Sequence, residues 1–455
     1  MQKDTIIELL NAREYIAVKN AAIEMNEVDL AELFEEIYED CDDSAERESI
    51  MLKLFRLLTK DAAAEVFAYL DSSVQQVIIE ALTDTELKHI IDDLYLDDCV
   101  DMIEEMPASV VKRVLKNAGA ENRRLINQYL KYPDDSAGSI MTNEYISLKC
   151  GKTVAQAFDT IRSVGADMET IYTCYVTDAL RHLIGTVSVR DMLLSDMGTV
   201  IDDIMDENVI FAKTMDDKEE VAKLFSKYDM LSLPVVDNET RMVGIVTIDD
   251  AVDVIQEENT EDFEKMAGMA PSEESYLKTS VFKLAKNRII WLLVLMVSAM
   301  AIGAMLEGFE AAIAGLPLLV SFIPMLMGTG GNCGSQTSTM IIRGLALDEI
   351  KTSDFIRVWF KEVRVALLCG VVLCAVNFAR IYIQYADIGV ATVVSLTLMI
   401  TVCVSKSLGC VLPILAKKLK LDPAIMASPM ITTLTDACSM LVFFNLAMGF
   451  LGERL

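Results

Sequence analysis

Five apolar stretches, at about residues 289–306, 316–342, 363–383, 388–416 and 424–451, constrain this chain more than any other feature. Each has the length of a bilayer crossing, about 20 residues. Hydrocarbon offers the backbone no hydrogen-bond partners, so such segments must be helical. Residues 283–455 therefore read as a five-helix transmembrane domain. Lys283, Lys286 and Arg288 precede the first stretch, Arg343, Lys351, Arg357, Lys361 and Arg364 lie between the second and third, and Lys417, Lys418 and Lys420 lie between the fourth and fifth. Glu307, Glu310 and Asp387 mark the other side, with Arg380 as the exception. Positive charge stays inside, which puts the N-terminal part in the cytoplasm, the C-terminus outside, and the protein in the plasma (inner) membrane. The opening MQKDTIIELLNAREY has no signal-peptide apolar run, in keeping with a cytoplasmic start.

Charge divides the chain at the same place. The net charge is −29, and residues 281–455 carry ten acids against fourteen Lys and Arg, about +4, which leaves −33 for the first 280 residues. A surface that acidic repels nucleic acid and attracts divalent cations. The ten cysteines form no C-x-x-C pair, and five or six of them lie in apolar segments, so they read as reduced, space-filling thiols.

Residues 1–132 repeat short amphipathic helical patterns, among them LAELFEEI, AAAEVFAYL and VQQVIIEAL, which suggests an all-α superhelical N-domain. The acidic run from Asp92 to Glu105 reads as a solvated face or as half of a metal-bridged interface. Residues 133–198 and 199–257 then echo each other: SIMTNEYISL by DIMDENVIFA, and LIGTVSVRD by MVGIVTIDD. Each copy reads as alternating helix and strand, with Gly185 and Gly244 as turn glycines. The Ile-Met openings, LPVV at Leu233–Val236 and GIVTIDD at Gly244–Asp250 resemble a tandem α/β pair of cystathionine-β-synthase-type (CBS) modules. Such pairs bind regulatory nucleotides or ions. No nucleophile–base pair or phosphate-cradling glycine loop is present, so the sequence indicates no enzyme. Residues 258–282 read as a connecting helix, with acids stacked along its faces.

Two membrane segments carry polar chemistry. Asp436 lies within the last apolar stretch, where a carboxylate costs several kcal/mol unless water, a partner or a cation compensates it. It reads as a cation site, or as a structural acid bonded to Thr433 or Thr435. Pro429 is expected to interrupt that helix and free carbonyls near Ser428 and Thr432. In the second stretch, Gly328, Gly330, Gly331 and Gly334 allow close approach, and Asn332 and Gln336 share a face. These suit either a pore lining of neutral oxygens or helix packing sealed by amides. Oxygen ligands without imidazole or thiolate favour a hard cation.

With GTGGNCGSQTS at Gly328–Ser338 and DPAIMASPMITTLTD at Asp422–Asp436, the chain resembles the MgtE family of magnesium channels and transporters over nearly its whole length. The resemblance implies a homodimer in the lipid bilayer, Mg²⁺ as both cargo and regulator, and ATP at the CBS pair. It places the pore at Asp436 and Thr432, lined by Gly328, Gly331, Asn332, Gln336, Ser428 and Thr433. It places regulatory Mg²⁺ at Asp250, Asp253, Glu258, Glu261 and Asp262, with Asp217, Glu219 and Asp229 in the second module. Transport of Mn²⁺ or Co²⁺, and a membrane-anchored cation sensor without transport, are the competing readings.

Overall fold

The computed structural model describes residues 3–40, 43–272, 276–277, 279–309, 317–426 and 428–451, except for the side chains of Asp61 and Ser428. It divides into two compact units, 1–255 and 256–455.

Among the described residues of the first unit, ten helices run from Lys3–Asn11 to Ala120–Tyr129, most of them nine or ten residues long. Helices this short are marginal alone and depend on burying one face. Asp84–Asp93 shows the pattern: Leu87, Ile90 and Ile91 are buried, and Thr83 and Glu86 close a reciprocal capping box at its start. Phe34, Phe55 and Phe67 interlock edge to face between successive hairpins.

Two three-stranded sheets follow, β1 (Tyr145–Lys149), β2 (Thr170–Thr177) and β3 (Leu183–Ser188), then β4 (Ala212–Lys213), β5 (Ser232–Val236) and β6 (Met242–Thr247). In each sheet the middle strand pairs parallel with the first and antiparallel with the third. The second sheet belongs to the same apolar core as the helical domain through Leu233, Val235 and Val246. Gly185 and Gly244 lie inside β3 and β6 and not at turns. A Cβ on Gly244 would stand 2.5 Å from the Thr142 carbonyl, and one on Gly185 would stand 2.6 Å from the Met205 sulfur. The segment entering each module crosses the third strand of the other module there, and only glycine lets it approach.

The boundary expected at residue 257 falls within two residues of the division between the units, inside a continuous helix. The helix Ile248–Met266 runs unbroken from the second module into residues expected to begin a separate connector.

The second unit contains α1 (Val281–Glu307), α2 (Ile323–Ala346), α3 (Phe355–Tyr385), α4 (Ile388–Lys418) and α5 (Ser428–Leu451). Among the described residues, α1, α3, α4 and α5 are long and apolar enough to cross a membrane. The fifth expected span, α2, is long enough, but its glycines, hydroxyls and amides lower its hydropathy. It packs between α4 and α5, and the contact depends on missing side chains. A Cβ on Gly409 of α4 would stand 2.4 Å from the Gly334 carbonyl, and one on Gly334 would stand 2.5 Å from Ile431. Gly409→Ala is expected to cost about 1–3 kcal/mol by overpacking. Its melting temperature in detergent checks this, and an unchanged value would mean that the helices separate there at no cost.

Pro429 does not interrupt a helix. It is the second residue of α5, where its missing N–H would have had no helical partner, and the preceding turn, Pro423–Met426, is a separate element.

Candidate functional site

Asp436 is the ninth residue of α5, roughly 12 Å along the axis from its first residue at about 1.5 Å per residue. Its side chain is half-buried. One carboxylate oxygen, Oδ1, is fully buried and has no hydrogen-bond partner among the described residues. Thr433 donates its hydroxyl to the Pro429 carbonyl at 3.0 Å, which leaves it unavailable as the acid's donor. The Thr435 hydroxyl is buried and has no partner either. The acid is thus inside a helical bundle without the donors that a structural carboxylate needs.

The glycines of α2 serve two purposes. Gly331, expected in the pore lining, is buried, and a Cβ there would stand 2.8 Å from the Thr432 methyl, so it is a packing position. Gly328, Asn332 and Gln336 are all exposed and recur every fourth residue, a polar stripe directed away from the rest of this chain. The Ser428 side chain lies outside the described residues.

Lys406, which a search of the apolar stretches for acids passes over, is 6 % exposed in α4. Its ammonium donates to the Thr337 hydroxyl at 3.1 Å and stands 3.9 Å from Glu362 of α3, while Thr337 donates to the same carboxylate at 2.9 Å. A lone lysine within an apolar run was the available signal, because such a group needs a buried partner.

The acids at the end of the helix Ile248–Met266 are tied to the membrane unit. Lys265 pairs with Glu261 on its own helix and with Asp422 at 2.7 Å, just before the turn that leads into α5. Burial works against the Lys265 charge, but the two carboxylates hold its pKa above the ordinary lysine value. Met266 packs with Ile342 and Ala424, and Gly268, at φ +72°, lies against the Pro429 ring. Glu261 is therefore engaged by a lysine, and Glu258 and Asp262 lie within a turn of it.

Asp217, Glu219 and Asp229 do not converge. Asp217 caps the helix Lys218–Tyr228 by accepting from the Glu219 N–H at 2.9 Å, Glu219 pairs with Lys223 at 2.8 Å, and Asp229 ends that helix in the left-handed conformation at φ +52°. The two ends are about 16 Å apart at 1.5 Å per residue.

Asp250 lies in a larger cluster. Burial, and after it the neighbouring acids, Glu144 and Asp249 among them, raise the pKa of Asp97 and Asp98 of the helix Leu96–Glu105, of Glu169 at the first module and of Asp250 of the second. Burial followed by these neighbours pushes Asp98 up to about 7 and Glu169 up to about 8. Asp250 rises to about 6 from burial and the nearby Asp249 and Asp253, against the hydrogen bonds it accepts from Thr247. Glu169 Oε2 is buried and unpartnered among the described residues. No three carboxylate, imidazole or thiol groups among those residues converge as one inner ligand shell. The cluster therefore suits a hydrated cation better than a stripped one.

The folded chain holds these protons more tightly than the unfolded chain does. Stability falls as pH rises from about 4, the usual carboxylate value, to about 8, and is regained below that window. Hydrogen exchange of the full-length protein without divalent ions is expected to show residues 96–105 and 248–255 more protected at pH 5.5 than at pH 8. Equal protection would mean that the acids are not crowded in solution.

Residues 323–446 match the family described as MgtE, divalent cation transporter, residues 25–135 the MgtE intracellular N domain, and residues 201–257 the CBS domain. The chain is 33% identical to the magnesium transporter MgtE of Thermus thermophilus over 97% of its own length and 96% of that protein. It is 31% identical to the magnesium transporter MgtE of Bacillus subtilis, over 98% and 96%. Among solved structures, the cytosolic domain of the Mg²⁺ channel MgtE in complex with ATP is similar at 33% identity and a TM-score of 0.50, covering 56% of this chain and all of that one. With matched domains in the same order and near full-length identity to two transporters, the chain belongs to the MgtE family of divalent cation transporters, and not to a family of enzymes.

Proposed function

We propose that this protein imports Mg²⁺ across the plasma membrane through a homodimeric pore in which Asp436 of each subunit holds the hydrated ion. The observation that carries this reading is the buried, unpartnered Asp436 oxygen within a membrane helix. Both close full-length relatives are named magnesium transporters. Mg²⁺ gives up its water reluctantly, so two facing carboxylates, with Thr432 beside them, hold it through its hydration shell. The stripe of Gly328, Asn332 and Gln336 needs water or a second copy beside it in the membrane, and a two-fold axis supplies both. The same orientation puts the first unit in the cytoplasm and the C-terminus outside.

Closure follows from charge. Intracellular Mg²⁺ screens the acids around Asp250 and Asp253 and those at Glu258 and Asp262, and the helix Ile248–Met266 passes the change to α5 through Lys265 and Asp422. Asp217, Glu219 and Asp229 act at contacts between subunits, since one chain does not bring them to one ion. ATP binds the CBS pair, as in the related cytosolic domain.

The test is Mg²⁺ uptake by liposomes holding the purified protein and an internal indicator, with Mn²⁺ and Co²⁺ compared. Uptake of Mg²⁺ is expected, and its absence under low internal Mg²⁺ would refute the transport reading. In the same assay, Asp250→Asn and Glu258→Gln are expected to make closure less dependent on internal Mg²⁺. Unchanged closure would remove those two acids from the sensor.

A further inference from the structure

A cavity of about 370 Å³ lies within the second unit, where the last turns of the helix Ile248–Met266 meet the start of α1. Thr260 and Glu264, four apart, line it from that helix, and Leu284, Asn287 and Arg288, three and four apart, line it from α1. A third wall is the stretch from Met269 to Ser272, which is pinned to both helices. The Met269 N–H donates to the Glu264 carbonyl at 2.9 Å, the Ala270 N–H to the Asn287 carbonyl at 3.0 Å, and the Ser272 N–H to one carboxylate oxygen of Glu264, Oε2, at 2.8 Å.

The cavity holds one charge of each sign, and they do not pair with each other. Arg288 makes no hydrogen bond or ion pair among the described residues, and the second carboxylate oxygen of Glu264 is engaged by none of them. The Ser272 hydroxyl is buried and equally without a partner among those residues, which costs stability unless a ligand or water serves it. Arg288 is also the last charge before the apolar stretch 289–306, so it stands at the level of lipid headgroups. Leu292, one turn further along the face of Leu284 and Arg288, is exposed, and no described side chain of α1 is buried. The cavity thus opens where a polar headgroup and an apolar helix surface adjoin.

We infer that this cavity holds the phosphoethanolamine headgroup of a membrane phospholipid, its phosphate on Arg288 and the Ser272 hydroxyl, its ammonium on Glu264, and its acyl chains along Leu292 and the apolar surface of α1. A guanidinium fork matches two phosphate oxygens, and a primary ammonium carries three donors for the unengaged oxygen of Glu264. A choline headgroup keeps the phosphate but has no N–H for Glu264, and a glycerol headgroup brings no cation to it. Charge therefore selects among lipids of similar shape. The volume is that of a small polar ligand and more than a phosphate alone needs. Bound there, the lipid joins α1 to Glu264, the neighbour of the Lys265 that pairs with Asp422.

The chain has two tryptophans, and Trp359→Phe leaves Trp291, which lies beside Gly268 and three residues beyond Arg288, as the one reporter. Full-length Trp359→Phe protein is placed in phosphatidylcholine bilayers with a small fraction of phosphatidylethanolamine, phosphatidylglycerol or phosphatidylcholine whose brominated chains quench tryptophan at short range. The ethanolamine lipid is expected to reach half-quenching at a fraction about fivefold lower than either of the others, as an added charge-assisted bond requires. Glu264→Gln is expected to abolish the preference over phosphatidylcholine, and Arg288→Gln to bring quenching by the ethanolamine lipid down to the bulk level. Lys286→Gln, an exposed charge outside the cavity, is expected to change neither. A melting curve confirms that each variant is folded. Equal quenching by the three lipids, a preference that both cavity variants retain, or a preference for phosphatidylglycerol would overturn the site. Glycerophosphoethanolamine, which has the headgroup and no chains, is expected to leave the quenching unchanged at the concentration of the brominated lipid. Its displacing that lipid would make the occupant a soluble molecule and overturn the lipid.

Discussion

Asp436→Ala protein is expected to reach the membrane, fold and pass no measurable Mg²⁺. Removing a carboxylate that has a buried and unpartnered oxygen relieves a desolvation cost, so the variant's melting temperature should match or exceed that of the parent. The ion loses far more. One unit charge about 4 Å away in a protein-like dielectric is worth about 4 kcal/mol, and 1.4 kcal/mol is tenfold in affinity. Loss of even part of that interaction lowers flux by roughly a hundredfold or more. Asp436→Asn keeps the shape and removes the charge, so it should fail nearly as badly if charge is what the ion meets. Both variants are measured by indicator fluorescence in liposomes beside a melting curve. Parental flux in a folded Asp436→Ala protein would reduce this acid to a structural group and leave the pore to be sought elsewhere.

The second large effect is on stability. Lys406→Met leaves the partly buried Glu362 beside Thr337 without its cation, and breaking a buried ion pair from one side costs up to about 3–5 kcal/mol. The three residues join α2, α3 and α4, so the loss should appear as a lowered melting temperature in detergent together with reduced uptake. Replacing both charges tests the cause. Lys406→Met with Glu362→Leu removes the stranded carboxylate as well and is expected to regain most of the stability, a large positive coupling in a double-mutant cycle. A single variant that melts with the parent would show that water already serves Glu362. A double variant no better than the single would assign the loss to the packing of the lysine stem.

The elements that the sequence specified are those with a local signal. The apolar stretches exposed the membrane helices, but the polar α2 shows the limit of hydropathy, because a helix buried against glycines needs little apolar surface of its own. The echo between the two modules was legible to the level of matching strands. Gly185 and Gly244 were still misplaced at turns, since a glycine needed for close approach and one needed for a turn look alike without the crossing segment. Pro429 was similar: its effect depends on whether the helix begins before it or at it.

What the chain determined by itself was the order of its parts and the single carboxylate in α5, set by periodicity, composition and the cost of polar groups in hydrocarbon. Tertiary structure alone decided which charges meet. Lys265 finds Asp422, Lys406 finds Glu362, and Asp98 finds Asp250, in each case across dozens of residues or more. Side-chain ionic contacts act over a few ångströms and leave no period in the sequence. Only packing of the helices that carry them brings such charges within reach.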